Sequence, residues 1–231
     1  MNLKPQESKE QLSMLPMLSQ NPENIKILHT AADFRYELLK QIENAQQRIY
    51  IVALYLENDD AGREVFTALY EAKQKNPSLD INVLVDWHRA QRGLIGAEKS
   101  DGNAALYREF SEKYEHSINV LGVPVRNKEV FGVLHLKGFI FDDTVVYSGA
   151  SLNDVYLAHK DKYRFDRYHV LNNSFLANSM VSFIKKTLIA SPAVNCLSQQ
   201  KRPETKSLKP DVFDLLFNIL RKPECCNILP S

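Results

Sequence analysis

Apolar and polar residues along this chain follow two different periods that alternate with each other. Between positions 33 and 45, apolar residues recur every three or four positions, as on one face of a helix: Phe34, Leu38, Ile42 and Ala45. Asp33 stands just before them and is the predicted N-cap. Arg48–Leu56, RIYIVALYL, is almost continuously apolar and rich in β-formers, which predicts a strand buried on both faces.

Helix and strand patterns continue to alternate along the chain as far as about residue 190. Further helices are predicted over residues 65–75, 104–114 and 175–189, and further strands over residues 80–86, 118–125, 130–141, 144–148 and 163–171. The turn between the strands that end at Phe141 and begin at Thr144 is only Asp142-Asp143, so these strands form a hairpin. Alternating strands and helices predict an α/β protein with a layered sheet.

The two ends of the chain lack this alternation. Residues 1–24 are polar and are predicted to be a flexible lead-in, which leaves residues 25–198 as one domain. Residues 199–210 have the composition of a linker. Val212–Leu220 is apolar on nearly every side, so a helix there would need to be covered all round.

Composition narrows the class of protein only a little. The net charge of +1 argues neither for nor against a nucleic-acid partner. No apolar run approaches the roughly 18 residues that span a bilayer. The three cysteines (Cys196, Cys225 and Cys226) lack metal-ligand spacing and form no disulfide framework, which favours the reducing cytoplasm.

The predicted strand before the Asp142-Asp143 turn carries chemistry. His135 and Lys137 are two residues apart, so both point to the same side of an extended chain, and Asp142 follows seven residues after the histidine. A neutral imidazole can attack phosphorus, and an ammonium group can neutralise the phosphate oxygens. The alternative is a buried histidine beside a lysine whose stem covers apolar surface, with Asp142 only starting a turn.

The next residues favour the phosphate interpretation. Gly149, Ser151 and Asn153 follow the hairpin, where backbone donors and short polar side chains can hold a phosphate. Together, HLKGFIFDDTVVYSGASLN resembles the HKD signature of the phospholipase D superfamily. The resemblance implies a layered α/β/α sandwich and a covalent phosphohistidine, with no metal or other cofactor. It also implies an active site that is built from two such motifs.

Four longer stretches make the resemblance more specific. They are residues 33–39, 48–62, 83–93 and 149–170. These stretches are similar to bacterial CDP-diacylglycerol–serine O-phosphatidyltransferases of the same superfamily, and the similarity covers about Ile27–Pro203. It implies transfer of a phosphatidyl group from CDP-diacylglycerol to L-serine with release of CMP. It also implies a cytoplasmic protein that contacts the anionic surface of the inner membrane.

The resemblance assigns roles to the residues of the motif. It makes His135 the nucleophile or the general acid, and Lys137 the group that clamps the phosphate. Asp142 would hold the geometry of the motif, and Asp166, in the predicted strand 31 residues after His135, would orient a histidine. The alternative for Asp166 is a surface carboxylate paired with a neighbouring arginine.

The segment DWHRAQRG is a second candidate region for binding the substrate. Trp87 or His88 could stack on a cytosine, while Arg89 and Arg92 could bind the diphosphate through paired hydrogen bonds. Loops at the carboxyl ends of strands are where α/β folds bind ligands. A helix-capping loop with solvated arginines explains the same residues equally well. Tyr55 and Glu57 are expected at the border of this pocket.

One feature departs from the family, which carries two HKD motifs in one polypeptide. Of the six histidines here, only His135 has a lysine two residues later. The interpretation is the N-terminal half of a phosphatidylserine synthase, with residues 199–231 as a linker and the stub of a truncated second half. A complete site would then need a second HKD half or a homodimer partner. The alternatives are a single-motif homodimeric phosphodiesterase or nuclease, which the balanced charge disfavours, and an inactive remnant.

Overall fold

The computed structural model describes residues 13, 17–91, 102–125, 133–161 and 163–198. The strands are β1 (Ile25–Leu28), β2 (Arg48–Val52), β3 (Asp80–Asp86), β4 (Asn119–Val123), β5 (Gly138–Phe141), β6 (Thr144–Tyr147), β7 (Tyr168–Asn172) and β8 (Asn195–Cys196). The helices are α1 (Ala31–Asn44), α2 (Asp60–Lys75), α3 (Trp87–Ala90), α4 (Asn103–Lys113) and α5 (Ser174–Phe183). A 3-10 turn (Pro22–Asn24) precedes β1, and a π-helical turn (Ile184–Ile189) extends α5. None of the helices in these ranges has the length and apolarity that a bilayer crossing requires.

The strands form one mixed sheet in the order β1-β7-β6-β5-β2-β3-β4-β8. The neighbours β2, β3 and β4 are parallel. The pairs β2/β5, β5/β6, β6/β7, β7/β1 and β4/β8 are antiparallel. The carboxyl ends of β2, β3, β4 and β6 therefore share one edge with the amino ends of β5 and β7. We call this the carboxyl edge.

The sheet buries apolar side chains on both faces, because successive residues of a strand point to opposite sides. In β2, Ile49 and Ile51 belong to a core cluster with residues of α1, α2 and α4. Tyr50 and Val52 belong to a second cluster with residues of α5 and its π-helical extension. Helices thus cover both faces of the sheet, which confirms the predicted α/β/α sandwich.

The predicted elements are found, but several of their bounds differ. The first helix begins at Ala31, and its N-cap is Thr30 rather than Asp33. The Thr30 hydroxyl accepts the Asp33 N–H at 3.0 Å, and the Asp33 carboxylate accepts the Thr30 N–H at 3.1 Å. The prediction was wrong because Asp33 is the second partner of a capping box and so lies three residues inside the helix.

Two predicted strands begin later than expected. Gly138, the first residue of β5, pairs with Val52, the last residue of β2. The residues before Gly138, 133–137, therefore extend beyond the end of β2 and do not pair with it. The prediction that His135 and Lys137 lie on a strand was therefore wrong. Asp166 is likewise outside its predicted strand, since β7 begins at Tyr168. The predicted tail, residues 199–231, lies outside the described residues.

Asp142 lies at the edge opposite the carboxyl edge. Its carboxylate accepts backbone N–H groups of Gln46, Gln47 and Arg48 at 2.9, 2.8 and 2.9 Å. Its own φ of 51° lies in the left-handed region, which lets the chain reverse tightly from β5 into β6. Asp142 therefore joins the β5–β6 turn to the loop before β2.

We predict that Asp142→Ala lowers the free energy of unfolding by about 2–3 kcal/mol, because three backbone donors lose a charged acceptor. Urea unfolding of the purified chain would measure the change. Asp143→Ala is the matched control, since the side chain of this neighbour in the same turn is exposed and lies 3.4 Å from the Arg48 guanidinium. Equal and small losses in both variants would contradict the role of Asp142.

Candidate active site

Four segments bring most of the predicted site residues to the carboxyl edge. They are residues 53–59 after β2, residues 86–91 from the end of β3 through α3, residues 133–137 before β5, and residues 148–167 between β6 and β7, of which residue 162 is not described. The exception is Asp142, about 16 Å of extended chain beyond Lys137. Arg92 lies outside the described residues. Asp142 therefore supports the fold and does not reach the site.

The segment before β5 is fixed by a buried carboxylate. Asp86 is fully buried, and it accepts the N–H of Leu134 at 2.9 Å and the N–H of Arg89 at 2.9 Å. Leu134 is buried beside this carboxylate, whereas His135 is exposed and Lys137 is half-buried. Nothing in the sequence pattern singled out Asp86. The available signal was a carboxylate directly after the apolar run Val83–Val85 at the end of the strand DINVLVD.

Asp166 belongs to the same site as Lys137. Burial lowers the pKa of Lys137, and the nearby Asp166 carboxylate partly offsets this effect. Asp166 accepts the N–H of Gly149 at 3.3 Å and the backbone N–H of Arg167 at 2.6 Å. A Cβ at residue 149 would lie 2.8 Å from Asp166 Oδ2, so this close approach requires glycine. The structure therefore brings the lysine, the glycine and the carboxylate together.

Ser151 and Asn153 are buried against the loop that follows β2. The Leu152 N–H donates to the Tyr55 carbonyl at 3.3 Å, and the Glu57 N–H donates to the Leu152 carbonyl at 2.9 Å. The Asn153 amide donates to the Tyr55 hydroxyl at 3.3 Å. Backbone and side-chain hydrogen bonds thus attach the residues after β6 to Tyr55 and Glu57, the two residues that were expected to border the substrate pocket.

Glu57 is a buried acid in this border. Burial and the neighbouring Asp59 raise the pKa of Glu57, while Arg89 and the Asn153 side chain act in the opposite direction. The guanidinium of Arg89 lies 4.7 Å from the centre of the Tyr55 ring. Arg89, predicted to bind phosphate, therefore lies within the network that holds Asn153.

Trp87 and His88 lie on α3, a single helical turn, and differ in their surroundings. Trp87 packs against the first core cluster, and a Cβ at Gly122 would lie 2.8 Å from its Cδ1 atom. The His88 ring meets the indole edge to face, with ring centres 5.0 Å apart. The indole thus contacts the core, which favours His88 over Trp87 for the predicted contact with a base.

One group of potential metal ligands lies beside the site. Asp60, Asp154 and His159 have ligand atoms within 4.8 Å of one another. The ammonium of Lys160 pairs with both carboxylates and lies 3.3 Å from that of Asp60. A protein cation thus already balances this acidic group.

Comparisons with known proteins agree with the fold and the motif. The family model "Cardiolipin synthase, PLD-like domain" matches residues 38–158. The CDP-diacylglycerol–serine O-phosphatidyltransferase of Escherichia coli K12 is 48% identical over 204 residues, covering 88% of this chain and 45% of the relative. That of Haemophilus influenzae is 46% identical over 212 residues, covering 90% of this chain and 47% of the relative.

A solved structure extends the similarity to three dimensions. The crystal structure of phosphatidylserine synthase from Haemophilus influenzae Rd KW20 matches with a TM-score of 0.86 and 44% identity, covering 94% of this chain and 49% of that chain. These findings confirm the predicted resemblance. The chain spans about half the length of the curated relatives it matches.

The buried ammonium of Lys137 gives a testable pH dependence. Because its pKa is lowered in the folded chain, folding disfavours the charged form. This cost is fully present below the lowered pKa and disappears as the pH rises towards 10.5, where the unfolded chain also loses the proton. We predict that Lys137→Met is more stable than the wild type at pH 7, by less than about 1 kcal/mol, and that the difference vanishes at alkaline pH.

Urea unfolding of both proteins between pH 7 and 11 would measure this difference. Lys75→Met is the matched control, because Lys75 is exposed at the end of α2. A difference that grows with pH, or one that the control reproduces, would contradict the assignment.

Proposed function

This chain belongs to the phospholipase D-like family, and from that membership we propose that it provides an HKD half-site of a phosphatidyltransferase. The reaction moves a phosphatidyl group from CDP-diacylglycerol to L-serine and releases CMP. The observation that carries the proposal is the convergence of His135, Lys137, Gly149 and Asp166 at the carboxyl edge. The similarity to serine phosphatidyltransferases supports this choice of substrates.

The first step would form a phosphohistidine. The imidazole of one HKD histidine attacks the phosphorus that carries diacylglycerol, and the bond from this phosphorus to the bridging oxygen breaks as CMP leaves with the electron pair. In the second step the serine hydroxyl attacks the same phosphorus, loses its proton to a base and displaces the imidazole. His135 serves as the nucleophile or as the acid and base opposite it.

Lys137 would stabilise the negative charge on the non-bridging phosphate oxygens in both steps. Its ammonium is partly desolvated, and an electrostatic interaction is stronger in such surroundings than in water. The Asp166 carboxylate favours the charged form of Lys137 and so keeps this cation available. Asp166 therefore supports the phosphate site through Lys137.

A complete site would require a second histidine. One imidazole cannot lie on both sides of the phosphorus, so the partner is either a second HKD half or another copy of this chain. The similarity to serine phosphatidyltransferases favours this function over a single-motif nuclease. The proposed lipid substrate also favours a cytoplasmic location at the anionic surface of the inner membrane. The phosphohistidine mechanism that the resemblance implies needs no resident metal or cofactor.

We predict that His135→Ala lowers CMP release from CDP-diacylglycerol and serine by at least about a thousandfold, because the nucleophile or its acid partner is lost. Release of labelled CMP by the full chain, with any partner half that activity requires, would measure this. His29→Ala is the matched control, since His29 is exposed just before α1. A variant at residue 135 that retained a tenth of the rate would refute the assignment.

A mixing experiment distinguishes the two kinds of partner. If two copies of this chain form the site, each active dimer needs two intact His135 side chains. A tenfold excess of His135→Ala should then lower the rate per wild-type chain to about a tenth, by random exchange of protomers. A rate that does not change, at protein concentrations where the wild type turns over alone, would exclude a site shared between two copies.

A further inference from the structure

Two aromatic side chains are displayed to solvent in the loop before β7. Tyr163 is 49% exposed and Phe165 is 72% exposed, and their rings meet edge to face with centres 5.1 Å apart. Water around a large apolar side chain is unfavourable, so an exposed aromatic pair suggests a contact with a partner.

The backbone of this loop is held in place. The Arg164 N–H donates to the Val155 carbonyl at 3.0 Å, and the Tyr168 hydroxyl donates to the Arg164 carbonyl at 3.4 Å. On the other side of Phe165, Asp166 accepts the Gly149 N–H at 3.3 Å. The loop thus presents the two rings from a backbone attached to the rest of the fold.

The exposed rings lie next to the site proposed above. Phe165 immediately precedes Asp166, the carboxylate that interacts with Lys137. Leu136, between His135 and Lys137, is also 41% exposed. We call Tyr163 and Phe165, together with the aliphatic Leu136, the aromatic rim. The rim residues therefore adjoin His135, Lys137 and Asp166 along the chain, in the loops of the carboxyl edge.

Positive charge accompanies the rim. Lys160 is paired with Asp60 and Asp154, and residues 161–167, DKYRFDR, contain three basic and two acidic side chains, a net charge of +1. Arg164 and Arg167 are exposed beside the aromatic residues. Aromatic rings at the depth of lipid headgroups, with basic side chains that attract anionic lipids, are typical of proteins bound at a membrane surface.

We propose that the aromatic rim docks onto an anionic lipid surface, with Tyr163 and Phe165 inserted at the level of the headgroups. The inference rests on the proposed function in one respect: the glycerol of the lipid is bonded directly to the phosphorus that histidine attacks. The acyl chains therefore begin a few bonds from His135, and the side of the protein that faces the bilayer has to include this edge.

The test is binding of the full chain to vesicles of phosphatidylglycerol and phosphatidylethanolamine, without CDP-diacylglycerol or serine. Tyr163→Ser combined with Phe165→Ser should lower the partition coefficient by about tenfold or more, because two apolar rings are lost from the contact. Tyr36→Ser combined with Phe175→Ser is the matched control. These side chains are 69% and 71% exposed, on α1 and at the start of α5, outside the loop before β7.

The control pair should bind within about twofold of the wild type, and thermal melting would verify that both variants are folded. Vesicles of phosphatidylcholine alone should bind the wild type weakly, since they lack the negative charge that attracts arginine. Binding that survives the loop substitutions, equal losses in both pairs, or a wild type that binds no anionic vesicles would overturn the proposal. Loss of self-association by the loop variant with unchanged vesicle binding would instead identify a protein contact.

Because this assay contains no reaction, its result is separate from that of the CMP assay. A chain that binds through the rim but transfers no phosphatidyl group would leave the lipid contact standing and refute the activity. A chain that transfers phosphatidyl groups while its loop variant binds vesicles normally would refute only the lipid contact.

Discussion

The antiparallel pairing of β5 with β2 is the constraint on which the site depends. Because Gly138 pairs with Val52, the segment with His135 and Lys137 comes out of the sheet where the parallel strands β2 and β3 end. A parallel β5 would begin at the opposite edge and would carry these side chains away from the loops after β2 and β3. The antiparallel direction of β5 therefore places His135 and Lys137 at the same edge as the segments that follow β2 and β3.

The carboxylates of Asp86 and Asp166 at the carboxyl edge have partners that offset the energetic cost of removing their charge from water. Asp86 accepts two backbone N–H groups, and Asp166 accepts two more while its charge acts on Lys137. A buried charge without such partners would cost several kcal/mol. Because the partners come from three segments that are far apart in the chain, the site exists only once the sheet has folded.

The same edge combines rigid and exposed parts. Asn153 and Ser151 are buried in the network with Tyr55, whereas His135, Leu136 and the aromatic residues of the rim meet solvent. The proposed phosphate site thus combines a buried hydrogen-bonded network with exposed apolar side chains. Such a site suits a substrate whose reactive group is polar and whose acyl chains lie in a bilayer. The proposed chemistry and the proposed lipid contact thus require the same orientation of the protein.

The sequence alone determined the layered α/β class, the order of most helices and strands, and the HKD motif, because these depend on local periodicity and on side-chain types at short spacing. The tertiary structure alone decided where β5 and β7 begin, since a strand extends only as far as its neighbours offer backbone groups. It also decided the separation of Asp142 from the site, the supporting role of Asp86 and the exposure of Phe165. Each of these depends on contacts between residues far apart in the chain, which no local pattern encodes.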